Sequence, residues 1–330
     1  MKRMNRFYCA DNAKELQEDP IGTATKYQTY ILVECPTPWN YEALNSKWVP
    51  DNLRVLVTEI EKKKLPIRFL LIANEQTHRV TDTTLLIYQQ QPGLTSGYKK
   101  QEFKLPNIEL VAGVVNKWLG GISSNYEVEN HTSRDILICT HGSHDQCCAR
   151  YGNPFYFHTE KIIDNLQLNH IRIWRSSHFG GHRFAPTMID LPQGRYYGKL
   201  EENSFLAILN HQGNIEDLGK VYRGWGILPN ALQVLERELM LQIGWDWFNY
   251  QIAGKILEQS LDNNTILCEI SFGKPGEDLY TYEAKLIKDS LKTRSLKSSC
   301  NAEREVVFMK YSVANLWLIS HKVVTTSRLG

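Results

Sequence analysis

DILICTHGSHDQCCARYGNPFYFHTEKIIDNLQLNHIRIWRSSHFGGHRFAPT, residues 135–187, contains two strand-like runs, each followed by a segment rich in thiols or imidazoles. DILIC (135–139) and IRIW (171–174) have the length of buried strands, and Ile162, Ile163 and Leu166 between them follow helical spacing, predicting a short helix over 157–168. Strand, helix and strand make a parallel unit, and in such sheets the carboxyl ends of the strands share one edge, where crevices form. CTHGSHDQCCARYG (139–152) and WRSSHFGGHRFAPT (174–187) both leave those ends, so the two segments can meet.

The same order precedes this stretch. TYILVEC (29–35) and PIRFLLIA (66–73) flank a helical pattern of Leu53, Leu56, Val57 and Ile60, with Asp51 and Asn52 as caps, and TTLLIYQQ (83–90) follows. An offset of 104 residues lays Cys35 on Cys139, Ile67-Arg68 on Ile171-Arg172 and His78-Arg79 on His182-Arg183, which reads as an internal duplication. In that alignment Leu44 stands opposite Cys148 and Asn74 opposite His178, so the first copy lacks half of the metal-binding side chains of the second. APTMIDLPQGRYYGKL (185–200) reads as a hairpin. Beyond it, Leu232, Leu235, Leu239 and Ile243 share a helical face that Gly244 ends, and four strand-like runs follow, TILCEISF, LYTYEAKLI, LKTRSLKS and EREVVFMKYS. Trp245, Trp247 and Trp317 are expected in the core or at an interface.

A chain of 330 residues with 42% hydrophobic content can bury a core in two or three domains. Its 38 Lys and Arg nearly balance 36 Asp and Glu, which argues against nucleic acid as the main partner. Basic residues near Met1 have no apolar run behind them and no stretch has membrane length, so a cytoplasmic location is expected, with no membrane association. Seven cysteines are too few for a disulfide scaffold in a chain this long, whereas Cys139, Cys147 and Cys148 cluster, so metal binding or reactivity is the better reading.

Cys139, Cys148, His178 and His182 complete a four-ligand set of thiolate and imidazole, the donors that zinc, copper and iron-sulfur centres take. The paired glycines in His178-Phe-Gly-Gly-His182 disfavour a helix and suit a loop wrapping a ligand, and Gly142 and Gly152 give the cysteine segment similar freedom. Tetrahedral zinc is the chemical rival, although eight residues between Cys139 and Cys148 exceed the usual zinc spacing. A two-iron cluster tolerates the wider loop. Cys147 competes with Cys148 for the ligand role, and His141 and His144 read as outer donors or solvent-facing residues. Arg175 and Arg183 either stabilise cluster charge, guide an acidic redox partner or lie at the surface or a sheet edge, while Cys9 and Cys35 read as buried thiols.

Through CTHGSHDQCCARYG, SHFGGHRFAPT and LPQGRYYGKL, and more loosely PIGTA and ECPTPW, the chain resembles the sucrase/ferredoxin-like proteins, also described as thioredoxin-like ferredoxins, over roughly residues 7–226. The resemblance implies a thioredoxin-like domain holding a [2Fe-2S] cluster through Cys139, Cys148, His178 and His182. No carboxylate pair supports the sucrase half of the family's description.

The expected architecture is therefore α/β: a degenerate thioredoxin-like unit (1–125), a cluster-binding thioredoxin-like ferredoxin domain (126–215) and a small α+β appendage (216–330). The expected function is electron transfer to or from a redox partner protein, by a carrier rather than a catalyst, at a potential that is dependent on pH and above that of all-cysteine ferredoxins. Partner identity and oligomeric state stay open. A zinc-stabilised binding module and a thiol-disulfide oxidoreductase are the alternatives, the latter lacking Cys-x-x-Cys spacing.

Overall fold

The computed structural model describes residues 7–75, 77, 82–129 and 133–323. The chain begins with α1 (Cys9–Glu15), β1 (Thr29–Glu34), α2 (Asp51–Lys62), β2 (Ile67–Ala73), β3 (Thr83–Gln90), β4 (Tyr98–Leu105), α3 (Val111–Leu119) and β5 (Glu127–Val128). It continues through β6 (Arg134–Cys139), α4 (Gln146–Asn165), β7 (Ile171–Ser176), β8 (Met188–Leu191), β9 (Arg195–Tyr197), α5 (Glu202–Asn210), α6 (Ile215–Val221) and β10 (Tyr222–Trp225). The last part contains α7 (Asn230–Ile243), β11 (Gln251–Gln259), β12 (Thr265–Gly273), β13 (Leu279–Lys288), β14 (Arg294–Lys297), β15 (Glu305–Phe308) and β16 (Tyr311–Lys322).

Among the described residues, ten strands form one mixed sheet in the order β10-β9-β8-β6-β7-β2-β1-β3-β4-β5. Each half has a central parallel pair, β1 with β2 and β6 with β7, flanked by an antiparallel strand, β3 or β8. The halves join where β2 runs antiparallel to β7, pairing Ile72 with Ser176 and Ala73 with Arg175. The 104-residue offset holds as register in the antiparallel pairs, where Leu32↔Leu86 and Val33↔Leu85 in the first half become Ile136↔Asp190 and Leu137↔Ile189 in the second, but it slips by one residue in the parallel pairs, where Tyr30↔Arg68 is answered by Asp135↔Arg172. Residues 78 and 79, the third match of the offset, lie outside the described residues.

The two faces of the first half are legible in the alternation of β1. Ile31 and Val33 pack with Leu53, Leu56, Val57 and Ile60 of α2 and with Val111 and Val115 of α3. Tyr30 and Leu32 join a larger core that also takes in Ile136 to Ile138, Leu232, Leu235, Ile270 and Leu286. One core thus runs from the long sheet into the C-terminal sheet. Pro50 stands at the N-cap of α2 and Asp51 opens its first turn, in place of a side-chain cap.

Two expectations change. The helix placed at 157–168 is a 20-residue helix, α4, that starts at Gln146 and accommodates Pro154. Gly152, expected to give the cysteine segment freedom, instead lets α4 press onto β6: a Cβ there would lie 2.0 Å from the Cys139 carbonyl oxygen. A Gly152→Ala substitution should therefore push helix from strand and cost at least about 1–3 kcal/mol, read as a shifted urea midpoint. The second change is at the C-terminus, where β11 and β16 add two strands to the four expected and form the antiparallel sheet β11-β12-β13-β16, while β14 and β15 pair separately. Both added strands are largely exposed along much of their length, so the alternation that marks a half-buried strand is weak. Trp247 is buried, whereas Trp317 on β16 is 43% exposed.

Candidate metal centre

β6 ends on Cys139, and its register partner Ser176 ends β7 two residues before His178. Between them, the Asp145 carboxylate accepts the Cys147 N–H at 2.9 Å and caps α4, so Cys147 and Cys148 occupy the first helical turn rather than a loop. Neighbouring helical residues point about 100° apart, which separates the two thiols. Cys148 faces Cys139 and His178, while Cys147 faces Cys9 and Cys300.

The sulfurs of Cys139 and Cys148 lie 3.7 and 3.6 Å from His178 Nδ1, and the three donor atoms are all within 4.8 Å of one another. Both thiols are buried, at 2% and 1% exposure. Burial opposes ionisation of Cys139, but the Cys148 thiol and the backbone N–H groups of His141 and Phe179 outweigh it and lower its pKa. Cys148 is correspondingly pushed up by the same sulfur contact and by burial. Burial, followed by the neighbouring His144, His182 and Arg68, pushes His178 down to about 2, leaving a neutral imidazole able to offer a lone pair.

His182 stands beside this group without entering it. Its ring centroid is 5.1 Å from that of His178, and its Nδ1 meets Asp145 Oδ2 at 3.2 Å and Cys9 Sγ at 3.3 Å. A carboxylate on Nδ1–H leaves Nε2 as the acceptor, the usual support for a metal-binding histidine. Gly180 and Gly181, at φ +94° and +80°, shape the turn between the two histidines, and a Cβ at Gly181 would fall 2.4 Å from the Arg223 guanidinium.

The other histidines hold the site rather than complete it. His141 accepts the His178 N–H on Nδ1 at 3.2 Å, and its Nε2–H donates to the Asn40 carbonyl at 2.7 Å, so both ring nitrogens are engaged. His144 stacks on His178 with centroids 4.0 Å apart and on Tyr41 at 4.9 Å. Ser143 donates to the Trp39 carbonyl at 2.6 Å. Trp39, Asn40 and Tyr41 belong to the first half of the chain, so the segment after β1 covers the ends of β6 and β7. Arg183 is tied to Glu18 at 2.8 Å and Arg175 to Glu75 at 3.1 Å.

Arg223 is a site residue that sequence reading passes over, since a lone arginine in YRGW carries no motif. It is buried, donates to the Gly180 carbonyl at 3.0 Å, and is pushed down to about 10 by burial. Arg68 donates to the His178 carbonyl at 2.9 Å. Two guanidinium groups thus brace the histidine turn and set positive charge beside the thiols. An open groove of about 350 Å³, lined by Tyr41, Leu44, Arg68, His144 and His178 among others, leads to the imidazole side.

A second group lies on the other side of Asp145, where Cys9, Asp145, Cys147 and Cys300 bring their donor atoms within 4.8 Å of one another. The thiols share charge: hydrogen bonds from Cys147 and Cys9 hold Cys300 well below the ordinary thiol range. Cys147 is pushed up to about 12, with its contact to Cys300 as the main cause. Spacing gave no sign of this group, because its cysteines are far apart in the chain.

Fold and site define a mixed α/β protein with a buried thiol–imidazole group where two parallel strands end. The chain belongs to the sucrase/ferredoxin-like family, whose pattern matches residues 20–224. Comparisons with curated proteins and with solved structures give no match.

Proposed function

We propose that this protein transfers electrons through a [2Fe-2S] cluster held by Cys139, Cys148, His178 and His182. The observation that carries the reading is the convergence of two buried thiols and a neutral imidazole at the ends of β6 and β7, with His182 adjacent. The donor chemistry fits the group. Two thiols and two imidazoles match its ligand count, N–H groups aim at the Cys139 sulfur, and burial keeps water from both thiols. When bound, the cluster supplies one-electron chemistry, and the residues around it set its potential. Arg223 and Arg68 favour the added negative charge of the reduced state, and His144 shields His178 from solvent.

In this reading, residues 126–215 form a thioredoxin-like ferredoxin domain, 1–125 a related unit without the ligand set, and 216–330 an α+β appendage whose first strand, β10, pairs with β9 at the edge of the long sheet. The repeated register of the two sheet halves supports the pairing of units. The groove beside His144 and His178 is the exchange surface for a redox partner protein. All seven cysteines are unbridged, which suits the reducing cytoplasm. Among the described residues, no helix is long and apolar enough to cross a membrane.

Zinc is the second reading, favoured by one observation: donors 3.6–3.7 Å apart around His178 Nδ1 also suit a single ion. Anaerobically purified protein should be coloured and contain iron and acid-labile sulfide in equal amounts, with a potential above the roughly −400 mV of plant-type ferredoxins. His178→Cys should keep the colour and lower the potential. A colourless protein containing zinc but neither iron nor sulfide would sink the cluster reading.

A further inference from the structure

We propose that Cys9, Cys147, Cys300 and Asp145 form a separate structural zinc site that fastens α1 and the β14–β15 turn to the helix carrying Cys148. The three sulfurs make a nearly equilateral triangle, with Cys9–Cys147 at 3.6 Å, Cys147–Cys300 at 3.3 Å and Cys300–Cys9 at 3.6 Å. Zinc–sulfur bonds of about 2.3 Å place the thiolates of a tetrahedral ion roughly 3.8 Å apart, so a small expansion of this triangle admits the metal. Asp145 Oδ1 stands over two of its corners, 3.1 Å from Cys300 Sγ and 3.9 Å from Cys9 Sγ. Those distances bracket the roughly 3.6 Å expected between a carboxylate oxygen and a thiolate on one zinc ion.

The donors are also oriented from outside. The Ala10 N–H points at Cys147 Sγ at 3.4 Å, and the Cys300 N–H donates to Asp145 Oδ2 at 3.0 Å. That same oxygen meets His182 Nδ1, so Asp145 would face zinc with one oxygen and His182 with the other. Cys9, Cys147 and Asp145 are buried and Cys300 is half-buried, giving four donors of types that zinc takes, three thiolates and a carboxylate, without an open position for substrate. Three sulfur donors favour a soft or borderline ion over calcium or magnesium. Binding would release the thiol protons and add its free energy to folding.

The connectivity explains what the ion does. Cys9 opens α1, Cys147 sits in the first turn of α4, and Cys300 lies in the turn between β14 and β15. Asp145 and Cys147 lie inside the family match of 20–224 and Cys9 and Cys300 outside it, so the staple joins the matched region to its flanking segments.

The full chain, purified without chelator, should carry one zinc ion in addition to its iron. Cys300→Ser, and separately Cys9→Ser, should lose most of that zinc while iron and visible absorption persist, and trypsin should then cut the β14–β15 segment faster. Should the variants fold poorly, cobalt exchanged into the wild-type chain gives an independent readout, an intense thiolate-to-cobalt charge-transfer band. Absence of zinc together with a disulfide among Cys9, Cys147 and Cys300 in the intact mass would overturn the proposal. So would zinc that survives both substitutions but is lost in Cys139→Ser, because the ion would then occupy the other site. Zinc lost only with Cys9 or Cys300, in a protein without iron or sulfide, would support the staple while removing the electron-transfer reading.

Discussion

Cys148→Ser should strip the protein of nearly all its iron and visible absorption, whereas Cys147→Ser should leave both close to wild type. The two residues are adjacent in sequence and share the first turn of α4, so any general disturbance of the helix is common to both variants. What differs is direction. Cys148 Sγ is 3.6 Å from His178 Nδ1 and grouped with Cys139, while Cys147 Sγ is 3.3 Å from Cys300 Sγ on the other side of Asp145. A serine hydroxyl at position 148 offers a hard donor that ionises far less readily than a thiol, and soft iron-sulfur ligation loses a corner. At position 147 the same change should cost the protein its zinc instead. Iron, sulfide and zinc measured on the two purified variants decide the matter, and the reverse pattern would exchange the roles of the two cysteines.

How much of this was legible in sequence depended on whether the information was local. The parallel strands, the turn of glycines between His178 and His182 and the convergence of thiols and imidazoles follow from apolar runs and residue chemistry within about fifty positions. The 104-residue offset reached further because a few residue types recur at that spacing, Cys35 with Cys139 among them, and β1 pairs with β3 in the register that β6 keeps with β8, as Val33↔Leu85 and Leu137↔Ile189 illustrate. The choice between Cys147 and Cys148 was not legible, since it depends on where α4 starts, and Gly152 and Pro154 disguised that start. Nor was the second thiol group. Cys9 and Cys300 meet at 3.6 Å only because α1 and the β14–β15 turn dock on the same helix end. Arg223 was hidden for a related reason, its partners being the carbonyl oxygens of Thr23 and Gly180 and the Thr23 hydroxyl, which have no signature in a sequence.

Asp135→Ala should destabilise the fold by about 3–5 kcal/mol, a large part of the 5–15 kcal/mol that holds a typical domain together. Asp135 is 0% exposed and accepts hydrogen bonds from Lys100 at 2.8 Å, Arg172 at 2.7 and 3.0 Å, Trp174 Nε1 at 2.8 Å and the Tyr88 hydroxyl. Those donors sit on β3, β4 and β7, so one carboxylate on β6 ties together strands from both halves of the sheet. Glu102 balances the second positive charge, accepting from the two terminal nitrogens of Arg172 at 2.9 Å and lying 3.2 Å from Lys100. Removing Asp135 leaves Lys100 and Arg172 to share Glu102, with the indole N–H and the phenol deprived of their acceptor, and breaking a buried ion network costs more than its formation yields. The pH dependence has a definite sign. Burial alone would raise the Asp135 pKa, but Arg172 and then Lys100 outweigh it and hold the carboxyl below its ordinary range. Its stabilising contribution is therefore complete above the unfolded carboxyl pKa near 4 and is lost as pH falls through the lower folded value. Urea titrations at neutral pH should show the full loss in Asp135→Ala, and repeated at decreasing pH they should show the gap between wild type and Asp135→Asn narrowing. A gap that widens on acidification would mean that Asp135 is held protonated, and that Lys100 and Arg172 take their charge balance from Glu102 alone.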